Sequence, residues 1–192
     1  FLVLLLGATA QATTYYVSTE GSNSNDGLSW DTAWKTLTWA ASQGASGDTI
    51  QLGVGIFSTL ETYPITIPSK IIVGSGTGLT TLDAGTNKTG LILRTSSTVE
   101  SLTIKADFSN NFNYAIRAIS PECIVKDSFI YNSGSSAYGY GIYFSAVTSS
   151  GKVTNCLLFK FAYGIAASTP SNRLFEFKNN KIYLSAYTTS PL

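Results

Sequence analysis

Val99-Glu-Ser-Leu-Thr-Ile104, Val125-Lys-Asp-Ser-Phe-Ile130, Val153-Thr-Asn-Cys-Leu-Leu158 and Phe177-Lys-Asn-Asn-Lys-Ile182 align without gaps, their first residues 26, 28 and 24 positions apart. A second series, Gly90-Leu-Ile-Leu93, Ala115-Ile-Arg-Ala118, Gly141-Ile-Tyr-Phe144 and Gly164-Ile-Ala-Ala167, precedes each of these and recurs after 25, 26 and 23 residues. Two strand-like motifs that recur together at one period define a solenoid coil. The motifs keep their length while the turns between them vary, which is what stacking demands. Each strand must lie about 4.8 Å above its equivalent, whereas a turn is free to bulge outward. The Leu-x-x-Leu-x-Leu spacing of the competing leucine-rich solenoid is absent. The chain therefore reads as all-β, a right-handed parallel β-helix built as a single-stranded solenoid.

Period-two alternation puts Leu102 and Ile104 on one inward face. Val99, three residues before Leu102, joins them only if the chain bends in between. Val125, Ser128 and Ile130, then Val153, Cys156 and Leu158, then Phe177, Asn180 and Ile182 continue the same columns. Ser128 and Asn180 inside a coil require hydrogen-bond partners. Cys156 reads as a small buried hydrophobe. It occupies a different position in its unit from Cys123, which argues against a disulfide between the two.

The outward positions carry the candidate site. Lys105, Tyr131, Phe159 and Tyr183 form one column, and Thr103, Phe129, Leu157 and Lys181 form its neighbour. Phe129, Tyr131, Leu157, Phe159 and Tyr183 would then stand together outside one sheet, and contiguous exposed apolar surface marks binding surfaces. Aromatic rings stack on sugar faces, and a flat sheet suits an extended glycan. Arg94 and Arg117, offset by two positions in register, lie near the preceding sheet with charge suited to carboxylates. The opposing expectation is that longer turns such as Ser109–Asn113, or further chain, cover the patch.

The remainder divides at clear composition changes. Phe1 to Ala12, an apolar run closed by Ala10-Gln11-Ala12, reads as a partial signal peptide cleaved to leave Thr13 first. It is too short to span a bilayer, and a secreted, extracellular or cell-envelope location follows. Residues 13–47 hold a short strand, a polar loop and a helix that starts at an Asp31 N-cap, presents Trp34, Leu37 and Ala41 over about three turns, and ends at Gly44 and Gly47. Residues 48–192 form the coils; no C-terminal cap is visible, so further coils are expected beyond Leu192. Twelve Lys/Arg against eleven Asp/Glu give no basic footprint for nucleic acid. Histidine is absent, which excludes Ser-His-Asp and Cys-His catalysis and His-based zinc sites.

Tyr16-Val-Ser18, Gly21-Ser-Asn-Ser-Asn-Asp-Gly27, Ser29-Trp-Asp-Thr-Ala-Trp-Lys-Thr36, Gly47-Asp-Thr49, Gly55-Ile-Phe57, Gly74-Ser-Gly76 and Leu82-Asp83 resemble the opening of secreted bacterial pectate-lyase-like β-helix proteins, which carry an N-terminal domain of unknown function. With the coils, the resemblance spans nearly all of the chain after the leader. It implies that the short helix plugs the N-terminal mouth of the solenoid, with Trp34 and Leu37 as the plug. Lyases of this group use calcium held by acids, with Lys or Arg as base. Here the acids are scattered; Asp107 and Asp127 are the nearest approach, and they form no pair facing one cleft. Asn23, Asn25, Asp26 and Asp31 offer oxygen ligands for calcium, yet turn chemistry alone accounts for them, and no cofactor is required. The expected function is binding of a polysaccharide or cell-surface glycan, with processing (as a polysaccharide lyase or glycoside hydrolase) as its enzymatic extension. The alternative is a non-catalytic structural or adhesive surface module.

Overall fold

The computed structural model describes residues 11–109, 113–135, 138–145, 150–168 and 174–184. In chain order its elements are β1 (Thr14–Val17), α1 (Leu37–Ser42), β2 (Thr49–Leu52), β3 (Gly55–Phe57), β4 (Ile65–Ile67), β5 (Ile71–Val73), β6 (Thr80–Thr86), β7 (Leu91–Leu93), β8 (Thr98–Glu100) and β9 (Thr103–Asp107). The series continues with β10 (Tyr114–Ala118), β11 (Cys123–Lys126), β12 (Phe129–Asn132), β13 (Tyr140–Phe144), β14 (Gly151–Thr154), β15 (Leu157–Phe161), β16 (Tyr163–Ala167), β17 (Phe175–Lys178) and β18 (Lys181–Leu184). They assemble into three parallel sheets. A seven-stranded sheet runs β1-β2-β5-β8-β11-β14-β17, a six-stranded one β3-β6-β9-β12-β15-β18, and a five-stranded one β4-β7-β10-β13-β16. Each complete coil thus contributes one strand to each sheet, and every coil stacks in parallel on the next: a β-solenoid.

The repeat visible in the sequence is therefore three strands per coil. The Val99-type motif is cut in two by a bend, because Ser101, Asp127, Asn155 and Asn179 all adopt positive φ, from 50 to 57°. Asn and Asp tolerate this left-handed conformation better than other non-glycine residues. Their side chains also tie the bends together along the axis. Asn155 Nδ2 donates to Asp127 Oδ1 at 2.9 Å, and Asn179 Nδ2 to Asn155 Oδ1 at 3.3 Å. The bend turns both Val99 and Leu102 inward, and both are fully buried.

Register makes the core. Ile50, Ile72, Val99, Val125 and Val153 lie directly over one another, as do Leu82, Ile104, Ile130 and Leu158 on the second sheet and Ile65, Leu91, Ile116 and Ile142 on the third. All are buried. Polar groups inside are satisfied: Asn180 Oδ1 accepts from Cys156 N–H at 2.9 Å, its Nδ2 donates to the Val153 carbonyl at 2.7 Å, and Ser128 Oγ donates to the Lys126 carbonyl at 2.8 Å. Cys123 and Cys156 are free and buried. Burial pushes both thiols up to about 11.

The helix is shorter than the sequence suggested, six residues from Leu37 to Ser42, and Asp31 does not cap it. Its N-cap is Thr36, whose hydroxyl accepts from Trp39 N–H. Trp34 lies before the helix in extended chain paired with Val17, held by Trp34 N–H to Tyr16 O and Ser18 N–H to Trp34 O. That pairing competes with helix formation over residues 31–36 and wins. Glu61 closes the new start, its carboxylate accepting from Leu37 N–H and Thr38 N–H at 2.7 Å each. The helix packs against β1, β2 and β4, and Trp34, Leu37, Ala40 and Ala41 are buried in the common core.

Candidate functional site

The six-stranded sheet supplies the columns expected from the repeat. Asp83 pairs with Lys105, Lys105 with Tyr131, Tyr131 with Phe159, and Phe159 with Tyr183. Beside them Thr103 pairs with Phe129, Phe129 with Leu157, and Leu157 with Lys181. Leu157, Phe159 and Tyr183 are 36%, 48% and 55% exposed, and Phe129 and Tyr131 are half-buried. Thr103 differs from the outward exposure expected of its column. It is buried, because the turn around Gly78 folds over it and Gly78 N–H donates to its hydroxyl at 3.0 Å.

The rings on this sheet keep surface available. Phe129 and Tyr131, two apart on one strand, stack at 5.0 Å and 15°. Phe159 and Tyr183 meet only at 6.4 Å and 54°. A cleft of about 430 Å³ is lined by Phe129 and Leu157 of this sheet together with Asp127, Asn155, Thr77 and Gly78. At the opposite end Lys105 Nζ forms an ion pair with Asp83 Oδ2 at 2.8 Å. The hydrogen bond that Lys105 donates to Asp83 raises the Lys105 pKa above its ordinary value and favours the protonated amine. This pair was not anticipated, although Thr81-Leu-Asp83 and Thr103-Ile-Lys105 occupy the same register.

The five-stranded sheet carries a second aromatic set that sequence reasoning passed over. Tyr114, Tyr140 and Tyr163 form one column. Tyr140 stacks on Tyr114 at 5.3 Å and on Tyr163 at 4.7 Å, and Tyr143 stacks on Tyr114 at 4.9 Å. The Arg117 guanidinium lies 5.3 Å from the Tyr114 ring centre, and its Nε donates to Ser145 Oγ at 3.0 Å. The signal was present: a tyrosine immediately precedes Ala115, Gly141 and Gly164 of the second repeat series. Arg94 follows β7, two positions beyond the partner of Arg117, so the two arginines do not meet.

Asp26 Oδ1 accepts from Leu28 N–H and from the Thr32 hydroxyl, which lowers its pKa, and Asn23 Oδ1 accepts from Lys35 N–H and Thr36 N–H. These oxygens are committed to the loop itself. Among the described residues no three acidic, His or Cys side chains stand together as a metal cage. Asp107 accepts from Thr86 and Ser109 hydroxyls while Asp127 sits at the bend, so they form no pair. A second cleft of about 430 Å³ lies on the seven-stranded sheet, between Ile124 and the Lys152–Glu176 ion pair. The turn 109–113 and the stretch 1–12 fall partly outside the described residues. No helix among those residues is long and apolar enough to cross a membrane.

No family model matches the chain, and no curated protein matches it. Solved structures do. A GH136 lacto-N-biosidase from Eubacterium ramulus is 16% identical with TM-score 0.64, over 88% of this chain and 40% of that one. Pectate lyase Pel9A is 12% identical with TM-score 0.60, over 91% and 55%. Pectin methylesterase PemA from Erwinia chrysanthemi is 17% identical with TM-score 0.52, over 92% and 68%. The chain spans about half the length of the first two. At these identities the likeness concerns the backbone: this chain has the pectate-lyase-like parallel β-helix fold.

Proposed function

We propose that the protein is an extracellular polysaccharide-binding β-helix, and that Phe129, Tyr131, Leu157, Phe159 and Tyr183, with Lys105 at one end, form its glycan platform. The observation that carries the reading is the vertical register of Tyr131, Phe159 and Tyr183, whose partly exposed rings follow the solenoid axis. A sugar chain laid along that axis meets a new apolar side chain at every coil. Asp127 and Asn155 in the adjoining cleft supply hydrogen-bond partners for hydroxyls. The names of the similar folds, all carbohydrate-active enzymes, support a carbohydrate ligand.

Lys105, the one amine in the platform column, is ion-paired with Asp83, which suits it to holding a ligand's oxygens. The test is a glycan array probed with the purified protein, with and without calcium. The reading expects retention of at least one extended glycan independent of calcium. Failure to bind any glycan would contradict it and favour the structural or adhesive module.

A further inference from the structure

A separate site lies at the start of the first strand, remote from the platform. Thr13 N–H donates to Asp48 Oδ1 at 2.8 Å, and the Thr13 carbonyl accepts from Thr49 N–H at 2.9 Å. The chain is thus fixed from Thr13 onward, while Gln11 and Ala12 just before it are exposed. Asp48 is 3% exposed, and its other oxygen accepts from Ala45 N–H. Lys70, equally buried, donates its Nζ to the Ala45 carbonyl at 2.8 Å, and its charge interacts with Asp48 without a direct hydrogen bond. The direct hydrogen-bond partners of this buried carboxylate are thus two amides, and a charged donor in place of one of them would give a stronger bond.

We propose that the Ala12–Thr13 peptide bond is a proteolytic processing site, and that Asp48 is the receptor for the α-ammonium released there. The inference rests on the reading of the protein as exported, and small residues at positions 10 and 12 suit leader cleavage. Hydrolysis adds water across the bond, leaving Ala12 a carboxylate and Thr13 an amine. An α-amine of ordinary pKa near ~8 is already largely protonated at neutral pH. The nitrogen that donated to Asp48 as an amide then donates as a cation, without movement of the chain. Processing thereby completes the ion pair that fastens the first strand to the first coil.

Two measurements test this. Intact mass of the protein exported from its whole precursor should give Thr13 as the first residue; a retained leader or a different terminus overturns both the processing site and the export reading. The exported protein should then melt about 2–4 °C above a variant with Gly-Ser inserted between Ala12 and Thr13, in which Thr13 keeps an amide. The pH sign is definite. Pairing with Asp48 raises the folded-state pKa of the ammonium, so the advantage is full below about pH 8 and disappears as pH rises through the folded value. Asp48, Lys70 and Tyr15 are the titratable groups around this position, and all are common to both proteins. Asp48→Asn should abolish the gap; if that variant does not fold, the pH profile of the insertion variant decides alone. A Thr13 terminus with no gap at any pH, or a gap that survives Asp48→Asn, overturns the ion pair and leaves the export reading standing.

Discussion

The outer faces of the five- and six-stranded sheets share a backbone spacing and a taste for aromatic residues, yet they use their rings differently. On the five-stranded sheet Tyr140 gives one face to Tyr114 and the other to Tyr163. Tyr114 is further covered by Arg117. Tyr114 and Tyr140 thus spend ring faces on neighbours, while Tyr163 at the end of the ladder is 50% exposed, and the ladder stabilises coil stacking through cross-strand pairs. On the six-stranded sheet the close stack, Phe129 on Tyr131, lies within one strand, and Phe159 and Tyr183 stay about half exposed. Identical vertical spacing thus gives rings stacked closely between coils on one side and rings set farther apart between coils on the other. The difference is decided by whether rings pair between coils or within one.

The largest effects should be equal beneath the two faces, because they share one core. Ile130→Ala under the platform and Ile142→Ala under the ladder each remove a fully buried side chain and should cost about 2–5 kcal/mol in chemical denaturation. A large inequality would show that the faces are not built on a common stack. Next comes Tyr140→Ala, which forfeits two stacked partners worth about 0.5–1.5 kcal/mol each beyond area burial. It should lower the denaturation midpoint and leave glycan affinity unchanged. Phe159→Ala should do the reverse, costing under about 1 kcal/mol of stability, since half its surface is already exposed. The smallest effect belongs to the Lys105–Asp83 pair. It is partly exposed, so Asp83→Asn should shift stability by less than about 1 kcal/mol. The Lys105 pKa is raised on folding, so its contribution is full below the ordinary lysine value and fades only above it. Melting curves of wild type and Asp83→Asn should therefore keep a constant offset from pH 6 to 9.

The coils were legible because Val99, Val125, Val153 and Phe177 begin units of fixed length, and inward columns follow from period two. Phe177 and Ile182, expected inward, are nonetheless 48% and 43% exposed, because no described strand stacks on that coil. The bend inside each unit was legible as a need, since Val99 and Leu102 share a face only through it; the residues that make it, Ser101, Asp127, Asn155 and Asn179, were then seen in place. The platform columns also followed from alignment alone, and the structure pairs them as expected. Their binding role remains a proposal. The helix start was misread because its i, i+3, i+7 pattern cannot reveal that Trp34 would pair with β1 instead. Thr103 was misplaced because its cover, the Gly78 turn, comes from another coil. The tyrosine ladder escaped because its residues precede the repeat motif and not because they lack one.

The most direct test is a side-by-side titration of one array-identified glycan into wild type, Tyr131→Ala/Phe159→Ala and Tyr140→Ala/Tyr163→Ala. Loss of two platform contacts worth about 0.5–1.5 kcal/mol each should weaken binding by roughly 5- to 150-fold. The ladder variant should bind like wild type while melting lower. Undiminished affinity in the platform variant, or a loss confined to the ladder variant, would contradict the account.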